Sequence, residues 1–217
     1  MNTRDFVEKH KLVVICRRIY GEDLKKLAAA LFKGGVRLME VTFDQQDPDC
    51  ISKTCGAILM LSELYGDALL VGAGTVLNER QVDAAFNAGA KYIVSPDHNP
   101  AVVKRTKELG LVSMPGAMTP TEILAAHDCG ADFVKLFPAT TLGFKYIKDI
   151  LAPISHVKLV ATAGVNEENF GQYLDLGFAG AGISGRLTDK KLIESGDFEE
   201  LTRRAEVFCR IARGEGR

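Results

Sequence analysis

Short apolar runs alternate with amphipathic stretches along almost the whole chain. Eight apolar runs, each typical of a buried strand, lie at residues 12–16, 36–42, 69–71, 91–94, 111–114, 132–137, 157–161 and 178–182. Between them, apolar residues at helical spacing predict amphipathic helices at 24–32, 79–88, 101–109, 121–128 and 167–176. Glycines suited to a left-handed helix cap follow several of these helices, at Gly34, Gly89, Gly110, Gly130 and Gly177.

Repeated strand–helix units predict parallel pairing with right-handed crossovers, and eight such units close a (β/α)₈ TIM barrel. The alternative is an open, doubly wound sheet. It lacks support because "CRRIYGED" follows the first run, where a dinucleotide-binding sheet would have G-x-G-x-x-G. Residues 2–10 are predicted as a short N-terminal helix that closes the barrel floor, and 198–213 as the final helix. No linker divides the chain, so we expect a single barrel domain over 1–217.

Composition narrows the function classes. The 27 basic and 28 acidic residues nearly cancel and form no basic block, so we expect neither a nucleic-acid partner nor a membrane partner. No apolar stretch approaches the length of a spanning helix, and no apolar signal region follows Met1, so a cytoplasmic protein is expected. Five cysteines without a C-x-x-C pair argue against a disulfide framework. Four scattered histidines weaken the hypothesis of a metal site.

The unusual polar residues fall at the carboxyl ends of the predicted strands, where barrels of this kind carry their chemistry. Lys135 interrupts the apolar run "DFVKLF", and Glu40 lies near the end of "RLMEVTF". Strand alternation places Lys135 on the face opposite Val134 and Leu136. If those two pack against helices, Lys135 points into the barrel. Glu40 is predicted to face the same interior.

Each charge alone has an ordinary explanation, because a lysine at a strand end can extend to solvent and a glutamate can pair at a rim. Two charges that both face a crowded interior are harder to explain in this way, since burial of an unpaired charge is costly. An amine in an apolar pocket has a lowered pKa and becomes a nucleophile toward ketones. The resulting iminium is an electron sink for breaking an adjacent carbon–carbon bond, and Glu40 is the candidate proton shuttle.

Hydroxyl and backbone groups on the same rim suit a small keto acid. Thr75 in "GAGTV" and Thr162 can bind its carboxylate. The loops after the seventh and eighth strands commonly bind phosphate in such barrels. Close approach of backbone N–H groups there is possible at Gly164 and along Gly182, Ile183 and Ser184.

A family resemblance rests on "LMEVTF", "VGAGTVLN", "YIVSP", "PGAMTPTE", "VKLFPA" and "GAGIS", in this order and spacing. Together they resemble the 2-keto-3-deoxy-6-phosphogluconate aldolase family, which includes 4-hydroxy-2-oxoglutarate and 2-keto-3-deoxy-6-phosphogalactonate aldolases. The resemblance implies a class I aldolase that is a homotrimeric (β/α)₈ barrel, uses a covalent lysine imine and needs no metal or other cofactor. It implies that Lys135 is the Schiff-base lysine and Glu40 the proton shuttle. Further implied site residues are Thr75, Pro96 and Phe137 in the pocket, with Gly164 and Ser184 at the phosphate end.

Four departures from the family pattern bear on the substrate. Asp44 stands where the phosphogluconate enzymes carry a carboxylate-binding arginine, and an aspartate that points inward would repel a keto acid. The phosphogalactonate branch instead has an arginine after the first strand, which corresponds to Arg17, but Arg18 replaces the glycine that follows. Ala163 and Ile183 replace glycines at the phosphate end, so an altered phosphate pocket is expected.

The leading hypothesis is cleavage of a 2-keto-3-deoxy-6-phospho-aldonate, or of 4-hydroxy-2-oxoglutarate, to pyruvate and an aldehyde. A phosphosugar isomerase or epimerase on the same barrel is a second hypothesis, in which Glu40 acts as a base without an imine. A third is a non-catalytic protein that binds sugar acids, which Asp44 and Ile183 make conceivable.

Overall fold

The computed structural model describes residues 1–141 and 143–215, and within them the chain forms nine short parallel strands and ten α-helices. The strands are β1 (Leu12–Cys16), β2 (Leu38–Thr42), β3 (Leu70–Gly74), β4 (Tyr92–Val94), β5 (Val112–Met114), β6 (Gly116–Ala117), β7 (Val134–Leu136), β8 (Leu159–Thr162) and β9 (Gly180–Ile183). The helices are α1 (Thr3–His10), α2 (Gly21–Lys33), α3 (Cys50–Tyr65), α4 (Glu79–Asn87), α5 (Pro100–Glu108), α6 (Pro120–Asp128), α7 (Gly143–Leu151), α8 (Phe170–Asp175), α9 (Lys190–Ser195) and α10 (Phe198–Arg213).

The strands pair in the order β5-β4-β3-β2-β1-β9-β8-β7-β6, which confirms the predicted (β/α)₈ barrel. Strands β5 and β6 are two halves of the fifth barrel strand, separated by Pro115, which has no N–H to donate to the ladder. The first half pairs with β4 and the second with β7. The Ser113 carbonyl accepts hydrogen bonds from the backbone N–H groups of Asp132 and Phe133, which joins the two edges of the sheet.

Strand alternation divides the apolar side chains into two layers. One layer lies between the strands and the surrounding helices, and the other fills the barrel interior. The interior layer comprises Val7, Val13, Leu38, Leu70, Tyr92, Val94, Val112, Met114, Phe133 and Val160. Val7 belongs to α1, so the N-terminal helix closes one end of the barrel, as the sequence predicts. The opposite end, at the carboxyl ends of the strands, is not closed by α1 and is where a functional site is expected.

Local signals fix most of the helix ends. Asn78 caps α4, and Thr119 with Glu122 forms a capping box at the start of α6. Two expectations differ in detail. After α2, the left-handed backbone conformation belongs to Gly35 (φ 98°) rather than Gly34. The helix predicted from residue 167 begins at Phe170, because the turn before it is stabilised separately by hydrogen bonds to the Asn166 side chain.

No helix in the described part of the chain combines the length and the apolar character that crossing a bilayer requires.

A glycine pair tests the packing of the barrel interior. A Cβ on Gly72 would overlap the buried Tyr92 ring, which is held by a 2.7 Å hydrogen bond from its hydroxyl to the Met39 carbonyl. We therefore expect Gly72→Ala to lower the free energy of unfolding by about 1–3 kcal/mol, measured by urea denaturation. Gly56 on α3 has open space around it, so Gly56→Ala is the matched control and raises stability by about 0.5–1 kcal/mol. Equal stabilities of the two variants would contradict this packing.

Candidate active site

Lys135 lies on the inner face of β7, as alternation predicts. Its neighbours Val134 and Leu136 pack in the layer beneath the helices, whereas Phe133 belongs to the interior layer. Only 8% of Lys135 is exposed. Its Nζ lies 4.9 Å from the centroid of the Phe137 ring, within the range of a cation–π contact. The lysine is therefore held inside the barrel, near the carboxyl ends of the strands.

Glu40 reaches the same interior from β2, where it is 2% exposed. It is opposite Gly72 in the register of β2 with β3. A Cβ on Gly74 would overlap the Glu40 carboxylate, so this carboxylate occupies space that any larger residue would fill. Because Gly72 makes the same kind of room for Tyr92, the missing side chains of β3 accommodate both polar groups.

Burial shifts the pKa of both groups toward their neutral forms. Desolvation lowers the pKa of Lys135; the nearby Glu40 charge opposes this shift, and the Arg17 charge reinforces it. Desolvation likewise raises the pKa of Glu40, and the positive charges of Lys135 and Arg17 oppose that shift. Within the described residues, the Lys135 amine and the Glu40 carboxylate form no direct ion pair. The site can therefore present a neutral amine beside a carboxyl group that can hold a proton.

A cleft of about 370 Å³ at the carboxyl ends of β1, β8 and β9 gathers most of the other predicted site residues. Lys135 and Glu40 do not line it themselves, but Phe137, whose ring lies 4.9 Å from Lys135 Nζ, does. Those that line it are Arg17, Phe137, Thr162, Gly164, Gly182, Ile183 and Ser184. Pro96 lines a neighbouring cleft, which meets the first at Phe137. Thr75 borders neither cleft; it follows β3 directly, and its carbonyl accepts a 2.7 Å hydrogen bond from Gln45 Nε2. The structure thus brings seven residues together and leaves Pro96 and Thr75 at the side.

Arg17 and Arg18 follow β1 and have different surroundings. Arg17 lines the cleft and has no ion-pair partner among the described residues. Arg18 pairs with Asp44 through two contacts, Nε–Oδ2 at 2.7 Å and Nη2–Oδ1 at 3.0 Å. The sequence predicts that an aspartate pointing inward at this position would repel a keto acid; in the structure Arg18 holds the Asp44 carboxylate, lowers its pKa and balances its charge.

The two departures at the phosphate end do not fill the cleft. Ala163 keeps a left-handed backbone (φ 75°), the conformation that glycine adopts most easily, as does the following Gly164 (φ 74°). The Ile183 side chain packs in the layer beneath the helices, so Ile183 lines the cleft through its backbone. The backbone N–H groups of Gly164 and Ser184 donate to no acceptor in the described chain. The expected alteration of the pocket is thus confined to the backbone strain at Ala163.

Three site features escaped the sequence patterns. Arg186 lines the cleft two residues after Ser184 and pairs with Glu167 at 2.8 Å. Its position directly after "GISG" was the available signal. Gly74 accommodates Glu40, and nothing in a single sequence separates this role from an ordinary turn glycine. The Arg18–Asp44 pair joins residues on two different loops, so only the fold reveals it.

A metal site finds no support in the described ranges, which contain no group of three or more histidine, cysteine, aspartate or glutamate side chains that could hold an ion.

Comparison with known proteins finds relatives that match most of the chain. The family model for KDPG and KHG aldolase matches residues 4–204. The 2-dehydro-3-deoxy-6-phosphogalactonate aldolase of Escherichia coli (strain K12) is 33% identical over 180 residues, 82% of this chain and 85% of the relative. The 2-dehydro-3-deoxy-phosphogluconate aldolase of Treponema pallidum (strain Nichols) is 37% identical over 200 residues, 92% and 91% respectively.

A solved structure of the KDPG aldolase from Legionella pneumophila contains pyruvate captured at low pH as a covalent carbinolamine intermediate. It is 26% identical, with a TM-score of 0.84, and the match covers 95% of this chain and 98% of that one.

The opposing charges around Lys135 give a prediction about its pKa. Glu40→Gln removes the negative charge that raises this pKa, so the pH at which the amine becomes reactive shifts downward. Arg17→Gln removes the positive charge that lowers it, so that pH shifts upward. The measurement is reductive methylation of Lys135 with formaldehyde across a pH series, quantified by peptide mass spectrometry. Lys145, whose side chain is 90% exposed, serves as the internal control. Shifts in the same direction would contradict this charge arrangement.

Proposed function

Because the chain belongs to the KDPG and KHG aldolase family, we propose that it releases pyruvate from a 2-keto-3-deoxy-6-phospho-aldonate through an imine on Lys135. The protein is an aldolase, a carbon–carbon lyase of class I. The isomerase and the non-catalytic binding protein are thereby set aside. The observation that carries the proposal is the buried amine of Lys135, which shares the barrel interior with the Glu40 carboxyl group and contacts Phe137 at the edge of the cleft.

The reaction begins when the neutral amine of Lys135 adds to the C2 carbonyl of the substrate, and loss of water gives an iminium. Removal of the proton from the C4 hydroxyl then breaks the C3–C4 bond. The electron pair of that bond moves into the iminium and leaves an enamine, while C4 departs as an aldehyde. Protonation of the enamine at C3 and addition of water release pyruvate and restore the amine.

Glu40 is the group proposed to move these protons. Its carboxyl group is buried beside Lys135, and desolvation raises its pKa, which favours a carboxyl group that can both take up and return a proton. The imine itself is the electron sink, so the proposed mechanism uses no metal and no separate cofactor.

Three further parts of the cleft are assigned to substrate binding. Arg17, which has no ion-pair partner among the described residues, binds the carboxylate of the keto acid together with the Thr162 hydroxyl group. Phe137 packs over the reacting carbons, with Pro96 in the neighbouring cleft and Thr75 farther to the side. The N–H groups of Gly164 and Ser184, which have no acceptor in the described chain, support a phosphate at the far end with the backbone of Gly182 and Ile183. We also propose that the protein is a homotrimer, as the family resemblance implies. Sedimentation velocity would test this.

The nucleophile is tested by trapping. Incubation with pyruvate and borohydride is expected to add a stable mass to the peptide that contains Lys135 and to inactivate the enzyme, because reduction makes the imine permanent. Lys135→Ala abolishes both the adduct and pyruvate release. Lys145→Ala, which removes an exposed lysine from α7, retains both. Glu40→Gln still forms the adduct but loses roughly 10²–10⁴-fold in kcat. An adduct that persists in Lys135→Ala would overturn the mechanism.

The substrate class is tested by initial rates of pyruvate release, coupled to lactate dehydrogenase. The panel holds the gluconate and galactonate 6-phosphates of the 2-keto-3-deoxy series, their unphosphorylated forms and 4-hydroxy-2-oxoglutarate. We expect the phosphorylated substrates to have the highest kcat/KM, by roughly tenfold or more, since charge-assisted and backbone hydrogen bonds at the far end add binding energy. Equal rates with the unphosphorylated sugar acids, which yield glyceraldehyde, would overturn the phosphate site. A higher kcat/KM with 4-hydroxy-2-oxoglutarate would instead assign the enzyme to smaller hydroxy-keto acids that yield glyoxylate.

A further inference from the structure

The mouth of the barrel carries an ion pair that the reaction itself does not require. Arg18 and Asp44 meet through two N···O contacts of 2.7 and 3.0 Å, the fork-to-fork geometry that is specific to arginine and a carboxylate. The Asp44 side chain is only 17% exposed, and the Gln46 backbone N–H donates to it as well. Asp44 is thus a negative charge at a fixed position on the rim.

The loop that bears Asp44 is tied to the adjacent loop after β3. Gln45 donates to the Thr75 carbonyl, and Gln81 Nε2 donates to Gln45 Oε1 at 3.0 Å. Since these contacts do not involve Arg18, they keep the loop in place when Arg18 is removed. Loss of Arg18 would therefore leave the Asp44 charge at the mouth rather than release it into solvent.

Arg17 is the immediate neighbour of this pair and stands in contrast to it. It has no ion-pair partner in the described chain, and its charge acts on both Lys135 and Glu40. Arg17 and Arg18 also line a third cleft, which shares Ser184 with the first. Because the two arginines border the same cleft, an Asp44 charge left without Arg18 would weaken the attraction of Arg17 for an anion and would itself repel that anion.

We propose that Arg18 neutralises Asp44 and so leaves Arg17 as the effective cation for the substrate carboxylate, which strengthens binding of the anionic substrate. This inference rests on the proposed function of the cleft. Arg18 touches no reacting atom, so its effect is on substrate binding and not on the chemical steps. The Arg18 half of the pair faces solvent, with 53% of its side chain exposed, and ion pairs of this kind usually contribute little to the free energy of unfolding.

A four-protein cycle tests the inference through KM for the best substrate of the panel. Arg18→Gly suits the left-handed backbone at this position (φ 57°), so it removes the side chain without straining the loop. It is expected to raise KM about five- to tenfold by exposing the Asp44 charge. Asp44→Asn is expected to lower KM about twofold, because Arg18 becomes a second free cation. The double variant returns to within about twofold of the wild type, and kcat changes little throughout.

Two controls sharpen the reading. Raising the salt concentration shrinks the penalty of Arg18→Gly, as screening of exposed charges requires. Arg105→Ala breaks a comparable pair with Asp83 on the outer helices and leaves KM unchanged. A brace between loops would give the opposite pattern, in which Arg18→Gly and Asp44→Asn raise KM alike and the double variant does not recover. That pattern, or an unchanged KM in Arg18→Gly, overturns the inference.

Binding without turnover separates this inference from the proposed function. In the Lys135→Ala background, the Kd for pyruvate, measured by NMR titration, should follow the same order: weaker with Arg18→Gly, tighter with Asp44→Asn, and restored in the double variant. If the wild type neither releases pyruvate nor forms a borohydride adduct, the proposed function fails, while this order of Kd values still supports the role of Arg18. If the wild type is active and neither KM nor Kd follows the order, only the role of Arg18 fails.

Discussion

Lys135 holds its amine on the inner face of β7, where an ammonium ion loses most of its hydration. This desolvation makes the neutral amine available, and it also makes the surroundings decisive, because each nearby charge acts through little water. A negative group alone would restore the ammonium form, whereas a positive group alone would disfavour it further. Glu40 and Arg17 act in these opposite senses, so the reactivity of the amine is set by the balance between them.

The position of Glu40 depends in turn on two glycines of β3, which have no side chains to fill the barrel interior. Two interior positions of β3 carry glycine, and the vacated space is taken by the Tyr92 ring and by the Glu40 carboxylate. Tyr92 is anchored by its hydrogen bond to Met39, the residue that precedes Glu40 on β2. The glycines of "VGAGTV" therefore make room for neighbouring side chains, in addition to any part they play in turning the chain.

Sequence alone predicted what depends on regular periodicity. Alternation placed Lys135 and Glu40 correctly, because a strand of period two leaves only one choice once Val134 and Leu136 face the helices. Helix α3 was missed. Apolar residues occur on its solvent-facing side as well as its buried side, as exposed Leu59 and Leu64 show, so its sequence has only a weak apolar periodicity. The Arg18–Asp44 contact was also missed, since it joins loops 26 residues apart and no local pattern encodes it.

That contact explains why two departures from the family pattern occur in one chain. An aspartate at position 44 alone would place a negative charge at the entrance for an anionic substrate, and an arginine at position 18 alone would put a bulky side chain on a left-handed backbone. Together they form a neutral pair, so the mouth keeps the same net charge as if both were absent. Among the described residues, Arg17 then lines the cleft without an ion-pair partner, whereas Arg186 is paired with Glu167, so a residue outside the Arg18–Asp44 pair supplies the charge that the substrate meets.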